Sequence, residues 1–271
     1  MARTDTLGNF LTDVADAIRE KKGTTDTIPA SNFDTEIDSI SGGVDINDYY
    51  LTSVTSGGNI NIRSYIKKIP LIEAPNKTNL YGFFQGCTAL TTIPLIDTSA
   101  ATNMNSMFQS CLKLISIPQL NTNNVTSMSQ MFYDCRSLTT IPQLDTSNVT
   151  GMNAMFAYCH LLTTIPRLDL SKVTNVDQTF YSCSALTTLG GFQNLGMAYD
   201  TSNSANYGPY KLDLSVCTKL THDSLMNVIN GLYDIKSKGC NPQQLILGSV
   251  NLAKLTAEEV AIGTERGWNI S

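Results

Sequence analysis

The chain has 271 residues and a formal net charge of −5, a length that is a prior for one large domain or two ordinary ones. Charged residues make up only 15%, against roughly 25% in a typical soluble protein, while 42% apolar residues exclude intrinsic disorder. The acidic balance disfavours nucleic acid and anionic membranes as partners. Two histidines in the whole chain leave few side chains for acid/base or metal chemistry, so the protein is not expected to be an enzyme. No run of about 18 apolar residues occurs, so no membrane insertion is expected. No apolar leader follows Met1–Thr6, so no secretion signal is expected either.

Residues 1–43 read as a small helical module. Leu7, Phe10, Leu11, Val14 and Ile18 share one face at helical spacing, and Gly23 ends that helix after Lys21 and Lys22. A second helix is predicted from Ser31 to Ile40, with Phe33 and Ile37 inward, before a Gly42-Gly43 linker. Two short helices hold too little core to stand alone. Those seven apolar residues are therefore candidates for attachment or self-association, for example as a trimer. The alternative is a simple cap on the rest of the chain. Residues 1–48 hold ten acids and four bases, so the remaining 223 residues sum to +1.

Residues 44–62 read as a hairpin cap and 63–86 as a degenerate first coil. A 24-residue repeat then becomes explicit: Cys87, Cys111, Cys135, Cys159 and Cys183 are equally spaced. Phe84, Phe108, Phe132, Phe156 and Phe180 stand three residues before each Cys, and Leu90, Leu114, Leu138, Leu162 and Leu186 three after. Ile93, Ile117, Ile141 and Ile165 each precede a proline. A fixed apolar set in each period means one coil of a solenoid, which hides its apolar side only when the next coil stacks on it. Leu-Thr-Thr-Ile is predicted to be a strand, Val-Thr a second one, Asp-Thr-Ser-Asn a turn, and Met-x-x-Met-Phe a short helical turn facing inward.

The cysteine ladder has two readings. It is either a metal or disulfide spine, or a column of small buried thiols. Neighbouring coils bring cysteines near disulfide distance. Five rungs cannot all pair, however, and no second ligand accompanies each, which favours the packing role and calls for no metal or cofactor. Asp97, Asp145 and Asp169 read as turn formers rather than calcium ligands, since Asn121 interrupts their column. Paired threonines such as Thr139/Thr140 and Thr163/Thr164 resemble ice-binding arrays but also suit strands. The glycosylation sequons at Asn124 and Asn148 are generated by the repeat itself.

After Cys183 the phase breaks. Leu212-Asp213-Leu214-Ser215 follows Leu168 by 44 residues, which predicts a 20-residue insertion near 191–211. A helix is expected from Thr221 to Ile235, a strand from Gln244 to Leu247, a capping box at Thr256 and Glu259 opening a helix to Arg266, and a last strand at Trp268–Ile270.

The units L-D-T-S-N-V-T-x-M-x-x-M-F and F-x-x-C-x-x-L resemble the BspA-like leucine-rich repeats of bacterial surface proteins, and a Mycoplasma-type repeat with the N-V-T-x-M-x-x-M-F signature. The resemblance covers residues 63–190 and implies a non-catalytic solenoid used for adhesion and recognition. Residues 15–26 resemble N-terminal modules of phage and prophage tail proteins from Gram-positive bacteria, which implies attachment to a virion or tail assembly. Residues 217–271 are similar to the cap that ends such repeat arrays.

The expected fold is α/β: a leucine-rich-repeat solenoid of about six 24-residue coils over 44–216, with a helical module at 1–43 and an α/β cap at 217–271. Variable positions on that frame carry recognition. Tyr133, Tyr158 and Tyr181 precede ladder cysteines, and Tyr199, Tyr207 and Tyr210 lie in a Ser/Asn/Gly-rich insertion of antibody-like composition. These six are the candidate ligand-binding residues. The expected partners are a bacterial cell-surface protein or glycan and, through the N-terminal module, other virion proteins. The expected location is the virion. The alternatives are a BspA-like adhesin on the bacterial surface, or a virion decoration protein without a receptor.

Overall fold

The structure, a computed structural model, describes residues 77–198 and 210–271, the short strands β1 (Asp5–Thr6) and β2 (Leu51–Ser53), and residues Asp16 and Arg19. Leu7, Phe10, Leu11, Val14, Ile18, Phe33 and Ile37 lie outside the described residues. So does the hairpin expected at 44–62, except for β2, which pairs in parallel with β1.

From Thr78 onward the chain is a stack of units joined by hydrogen bonds at an interval of 24 residues. On one side of each unit, alternate residues bond in two directions. The N–H groups of Leu80, Gly82, Phe84 and Gly86 donate forward to Asn103, Asn105, Met107 and Gln109 of the next unit, at 2.7–2.9 Å. Between them, Phe83, Gln85 and Cys87 donate back to Leu80, Gly82 and Phe84 of their own unit, at 3.0–3.2 Å. The Met-x-x-Met-Phe segment is thus a chain of tight turns, not the helical turn that its spacing suggests. A helix would keep its N–H groups for itself; here half of them join neighbouring units. The geometry requires a left-handed residue every fourth position. Gly82 and Gly86 (φ 58° and 76°) fill those places in the first described unit, and Ser106, Ser110, Gln130, Asp134, Ala154, Tyr158, Gln178 and Ser182 fill them later.

On the other sides, bonds run backward. Thr102, Thr126, Thr150 and Thr174 each donate both N–H and hydroxyl to the carbonyl of the threonine 24 residues earlier. Strand pairing is brief: β3 (Thr164–Ile165) pairs with β5 (Thr188–Leu189), and β4 (Leu168–Asp169) with β6 (Phe192–Gln193), all parallel. Pro166 separates β3 from β4, and the prolines in the same place of earlier units have no N–H to give a ladder. The expected Leu-Thr-Thr-Ile strand therefore forms in two units, with an isolated bridge from Thr140 before them, and the Val-Thr strand is replaced by bridges along Asn79, Asn103, Ser127, Gly151 and Asn175. Where backbone pairing fails, a buried threonine substitutes: the Thr98 hydroxyl accepts from Asn121 N–H (2.9 Å) and donates to Asn121 O (2.8 Å), and Thr146 does the same with Asp169 (2.8 Å each).

The core is a set of side-chain columns. Phe84, Phe108, Phe132, Phe156 and Phe180 stack with ring centroids 5.3–5.9 Å apart, flanked by columns of Cys, Leu, Met and Val, all buried. Each phenylalanine carbonyl accepts two bonds: from the Cys N–H of its own unit, and from the thiol of the next unit, as in Cys135 Sγ to Phe108 O at 3.0 Å.

Beyond Cys183 the next rung is Cys217, whose thiol faces Phe180 O at 3.9 Å, while Thr221 N–H bonds to Thr187 O at 3.0 Å. Both intervals are 34 residues, so the excess is ten residues rather than the expected twenty. Leu214 takes the ladder phenylalanine's place, its carbonyl accepting from Cys217 N–H at 2.9 Å. The Leu-Asp-Leu-Ser motif that suggested the longer insertion is a local look-alike.

The stack ends in a compact α/β unit. Helix α1 (His222–Asn230) starts at Thr221, whose hydroxyl caps Ser224 N–H, and buries Leu225, Val228 and Ile229. It stops before the expected Ile235 because Gly231 O and Tyr233 N–H bond to Leu195, at 3.0 Å each, instead of continuing the helix; Gly231 lies against the backbone of Phe192, where a Cβ would sit 1.9 Å from Phe192 O. Strands β7 (Lys211–Asp213), β8 (Gln243–Ile246) and β9 (Trp268–Ile270) form a parallel sheet in that order. Helix α2 (Gly248–Leu252) follows β8, and helix α3 (Ala257–Glu265) opens with a complete Thr256/Glu259 capping box.

Candidate functional site

The repeat frame fixes where variable side chains emerge. The two residues before each ladder cysteine are Gln85-Gly86, Gln109-Ser110, Tyr133-Asp134, Ala157-Tyr158 and Tyr181-Ser182. The second of each pair is left-handed, so its side chain leaves the coil in a different direction from the first. In the fourth pair the order of large and small is reversed. Ala157 is buried, and Tyr158, at φ 63°, fills the gap between its neighbours. The result is one aromatic row across three units: Tyr133 to Tyr158 at 5.3 Å and 71°, and Tyr158 to Tyr181 at 5.2 Å and 78°. Edge-to-face contacts of this kind hold the half-buried Tyr133 and Tyr158 and the exposed Tyr181 in place.

A bulky residue in left-handed backbone is strained by about 1–3 kcal/mol. Glycine, serine or aspartate occupies that place in the other units. Tyr158 is thus the position where the frame is bent to accommodate an aromatic. Burial, followed by the charges of Tyr133 and Tyr181, raises its phenol above the ordinary value, so it stays a neutral hydroxyl that can donate and accept.

The polar flank belongs to the same row. Asp134 is ion-paired with Arg136 at 2.7 Å. His160 lies 6.2 Å from the Tyr158 ring and bonds through Nδ1 to Ser182 O at 3.1 Å. Tyr181 is 47% exposed, and Leu161 beside His160 is 52% exposed, so the row faces solvent with apolar area on offer.

The other tyrosines fare differently. Tyr199 and Tyr207 lie outside the described residues. Tyr210 does not belong to a binding surface: it is a core residue of the C-terminal unit, packed edge-on to Trp268 at 6.3 Å, with its N–H held by Gln243 Oε1. Its ring meets β9 through Trp268 and its backbone carbonyl accepts from Gln244 N–H of β8 at 2.9 Å, which no composition argument about the insertion could reveal.

Three further motifs are absorbed by the frame. All seven cysteines are free thiols. Burial pushes the Cys159 and Cys217 thiols up to about 12, far from the thiolate that metal binding and oxidation require, and each ladder thiol after Cys87 faces a carbonyl. Among the described residues no group of three or more His, Cys, Asp or Glu is placed to hold a metal ion. The sequon residues Asn124 and Asn148 donate their amides to Ser99 O and Asn123 O of the preceding unit, at 2.9 and 2.8 Å. Thr139, Thr163 and Thr187 donate their hydroxyls to carbonyls of the preceding unit. No helix among the described residues is long and apolar enough to cross a membrane.

One feature was not visible in the sequence: an open groove of about 520 Å³ lined by Gln119, Gln143, Arg167, Asp145, Asp169 and Ser147, among others. Its residues are periodic, but only the folded coil aligns the position after each proline with the Asp-Thr-Ser turn.

No curated protein and no solved structure matches the chain. Residues 78–192 match the family described as "Mycoplasma protein of unknown function, DUF285". That match spans the regular units and is compatible with a BspA-like repeat protein.

Proposed function

We propose that this protein is a non-catalytic recognition scaffold: a leucine-rich-repeat solenoid of about six coils, held by its N-terminal module to the tail or another external part of a phage or prophage virion, and binding the host cell surface. The observation that carries the binding role is Tyr158, accommodated at φ 63° between Tyr133 and Tyr181. A tyrosine at a left-handed place where the other units carry glycine, serine or aspartate points to selection for what that side chain touches. Tyrosine also contributes contact area at low entropic cost. Attachment to a virion is supported by the resemblance of residues 15–26 alone.

A second reading is a BspA-type adhesin on the bacterial surface itself, and the family match favours it. Both readings use the same aromatic row and differ in where the protein is displayed. Pull-down of the purified chain by whole candidate cells tests the shared part, with Tyr158→Ser as the control. Serine stands in this position at Ser110 and Ser182, so the variant keeps the fold. Strong binding by the parent chain and weak binding by the variant is the expected result. If the parent chain binds no candidate cell, a decoration protein without a receptor is the better account. Immunogold labelling of virions and of cells then separates the first two readings.

A further inference from the structure

The groove is built from four consecutive units, and many of its polar atoms are fixed before any ligand arrives. Gln119 Nε2 donates to Leu120 O and Gln143 O, at 3.1 and 2.6 Å. Gln143 Nε2 donates to Leu144 O and Arg167 O, at 3.0 and 2.7 Å. Both hydrogens of each amide are spent on backbone, so each glutamine has Oε1, a pure acceptor, left to offer. The same bonds freeze the side chains, which removes the ordering cost of binding.

The carboxylates are held in the same way. Asp145 Oδ1 accepts from Ser147 N–H and hydroxyl, at 2.9 and 2.7 Å, and Asp169 Oδ1 accepts from Ser171 N–H at 2.9 Å. Each keeps its second oxygen. The Ser147 bonds, hydroxyl first, hold the Asp145 carboxyl below its ordinary value. Arg167 stands one unit after Gln143 in the same column. It is exposed, and its guanidinium forms neither an ion pair nor a hydrogen bond among the described residues, although two carboxylates line the same groove. Its five donors are open.

The groove therefore sets fixed acceptors beside donors, the open Arg167 fork and the exposed amides of Asn123 and Gln193. A sugar hydroxyl both donates and accepts, so neighbouring hydroxyls can bridge such a pattern. Two carboxylates against one guanidinium leave the lining net negative, which opposes an acidic polymer. The absence of an aromatic ring from the lining argues against a compact apolar ligand. We infer that this groove is a binding site for a neutral, hydroxyl-rich saccharide chain lying along the stack. It shares no residue with the tyrosine row.

Calorimetric titration of the full chain with neutral hexose oligosaccharides of increasing length tests the site. Affinity is expected to rise with length until the groove is filled. Arg167→Ala and Asp145→Asn are each expected to weaken binding about tenfold or more, the size of a lost charge-assisted bond, while Lys238→Ala, at an exposed place of the C-terminal unit, leaves it unchanged. Asn121 already makes the equivalent turn, accepting from Asn123 N–H at 3.2 Å, so Asp145→Asn keeps its local structure. The inference is overturned by no saturable binding of neutral oligosaccharides, by undiminished binding in both groove variants, or by tighter binding of uronic-acid oligomers or oligolysine.

Discussion

The regular units and the C-terminal unit solve the same problem with different devices. In the stack, one residue type per position is repeated, and columns of Phe, Cys, Leu and Thr run from unit to unit. In the C-terminal unit nothing repeats: α1 and α3 carry their own caps, three strands pair in one sheet, and Trp268 anchors the interior, its Nε1 bonded to Tyr233 O at 3.0 Å. The stack's stability is shared between neighbours; that of the end unit resides in single contacts. A regular frame can therefore vary its outward residues unit by unit, whereas the end unit tolerates little change.

Phe132→Ala is the strongest way to break the stack. It empties the middle of the ring column, where Phe132 is fully buried, and is expected to cost about 3–5 kcal/mol. Hydrogen exchange should show protection lost in several units at once. In the end unit Gly231→Ala places a Cβ against Phe192 O and is expected to cost about 3 kcal/mol. Exchange should there rise in α1 and β6 while the units before Cys159 remain protected. Uniform loss in both variants would erase the distinction between the two regions.

Thr122→Val probes the side-chain bridges of the stack. Asp145 N–H bonds to Thr122 Oγ1 at 2.8 Å, and losing that acceptor in a buried place is expected to cost about 1–3 kcal/mol in urea unfolding. Gln178→Gly acts in the opposite direction. Gln178 is exposed at φ 57°, and relief of its backbone strain is expected to raise stability by about 1 kcal/mol, less the added freedom of the unfolded chain.

The smallest effect is titratable and confined to the end unit. His222 bridges α1 to α3 through Glu259 at 2.9 Å. Hydrogen bonding to Glu259, then to Asp223, raises its pKa above the ordinary 6.5. A raised value in the folded state means that the stabilisation is fully present below 6.5 and is lost as pH rises through the folded value. The melting temperature of the parent chain should exceed that of His222→Gln at pH 6 and converge with it on the alkaline side. A constant difference across that range would assign the contact to packing instead of charge.

The period, the core columns and the Thr256/Glu259 box could be read from the chain because each is a local or periodic signal. The left-handed turns left a trace as well, Gly82 and Gly86 standing where later units carry Ser, Gln, Asp, Ala or Tyr. Fewer glycines downstream hid the pattern, since the forward hydrogen bonds that compensate the strain join residues in different units. The tyrosine row was partly legible: Tyr133, Tyr158 and Tyr181 could be named, but not that a reversed Ala157-Tyr158 pair brings their rings together. Tyr210 was misplaced because insertion composition says nothing about which residue turns inward at its end.

By itself the sequence determined the repeat length, the buried set in each unit and the low charge of the surface, because packing identical units leaves one choice of face. Tertiary structure alone decided that Cys217 is the sixth rung after a ten-residue excess, that the glutamine amides and Asp145 line one groove, and that Arg167 remains open beside two carboxylates. Those facts depend on distances between residues 23 to 37 positions apart, and only the stacked coil sets such distances.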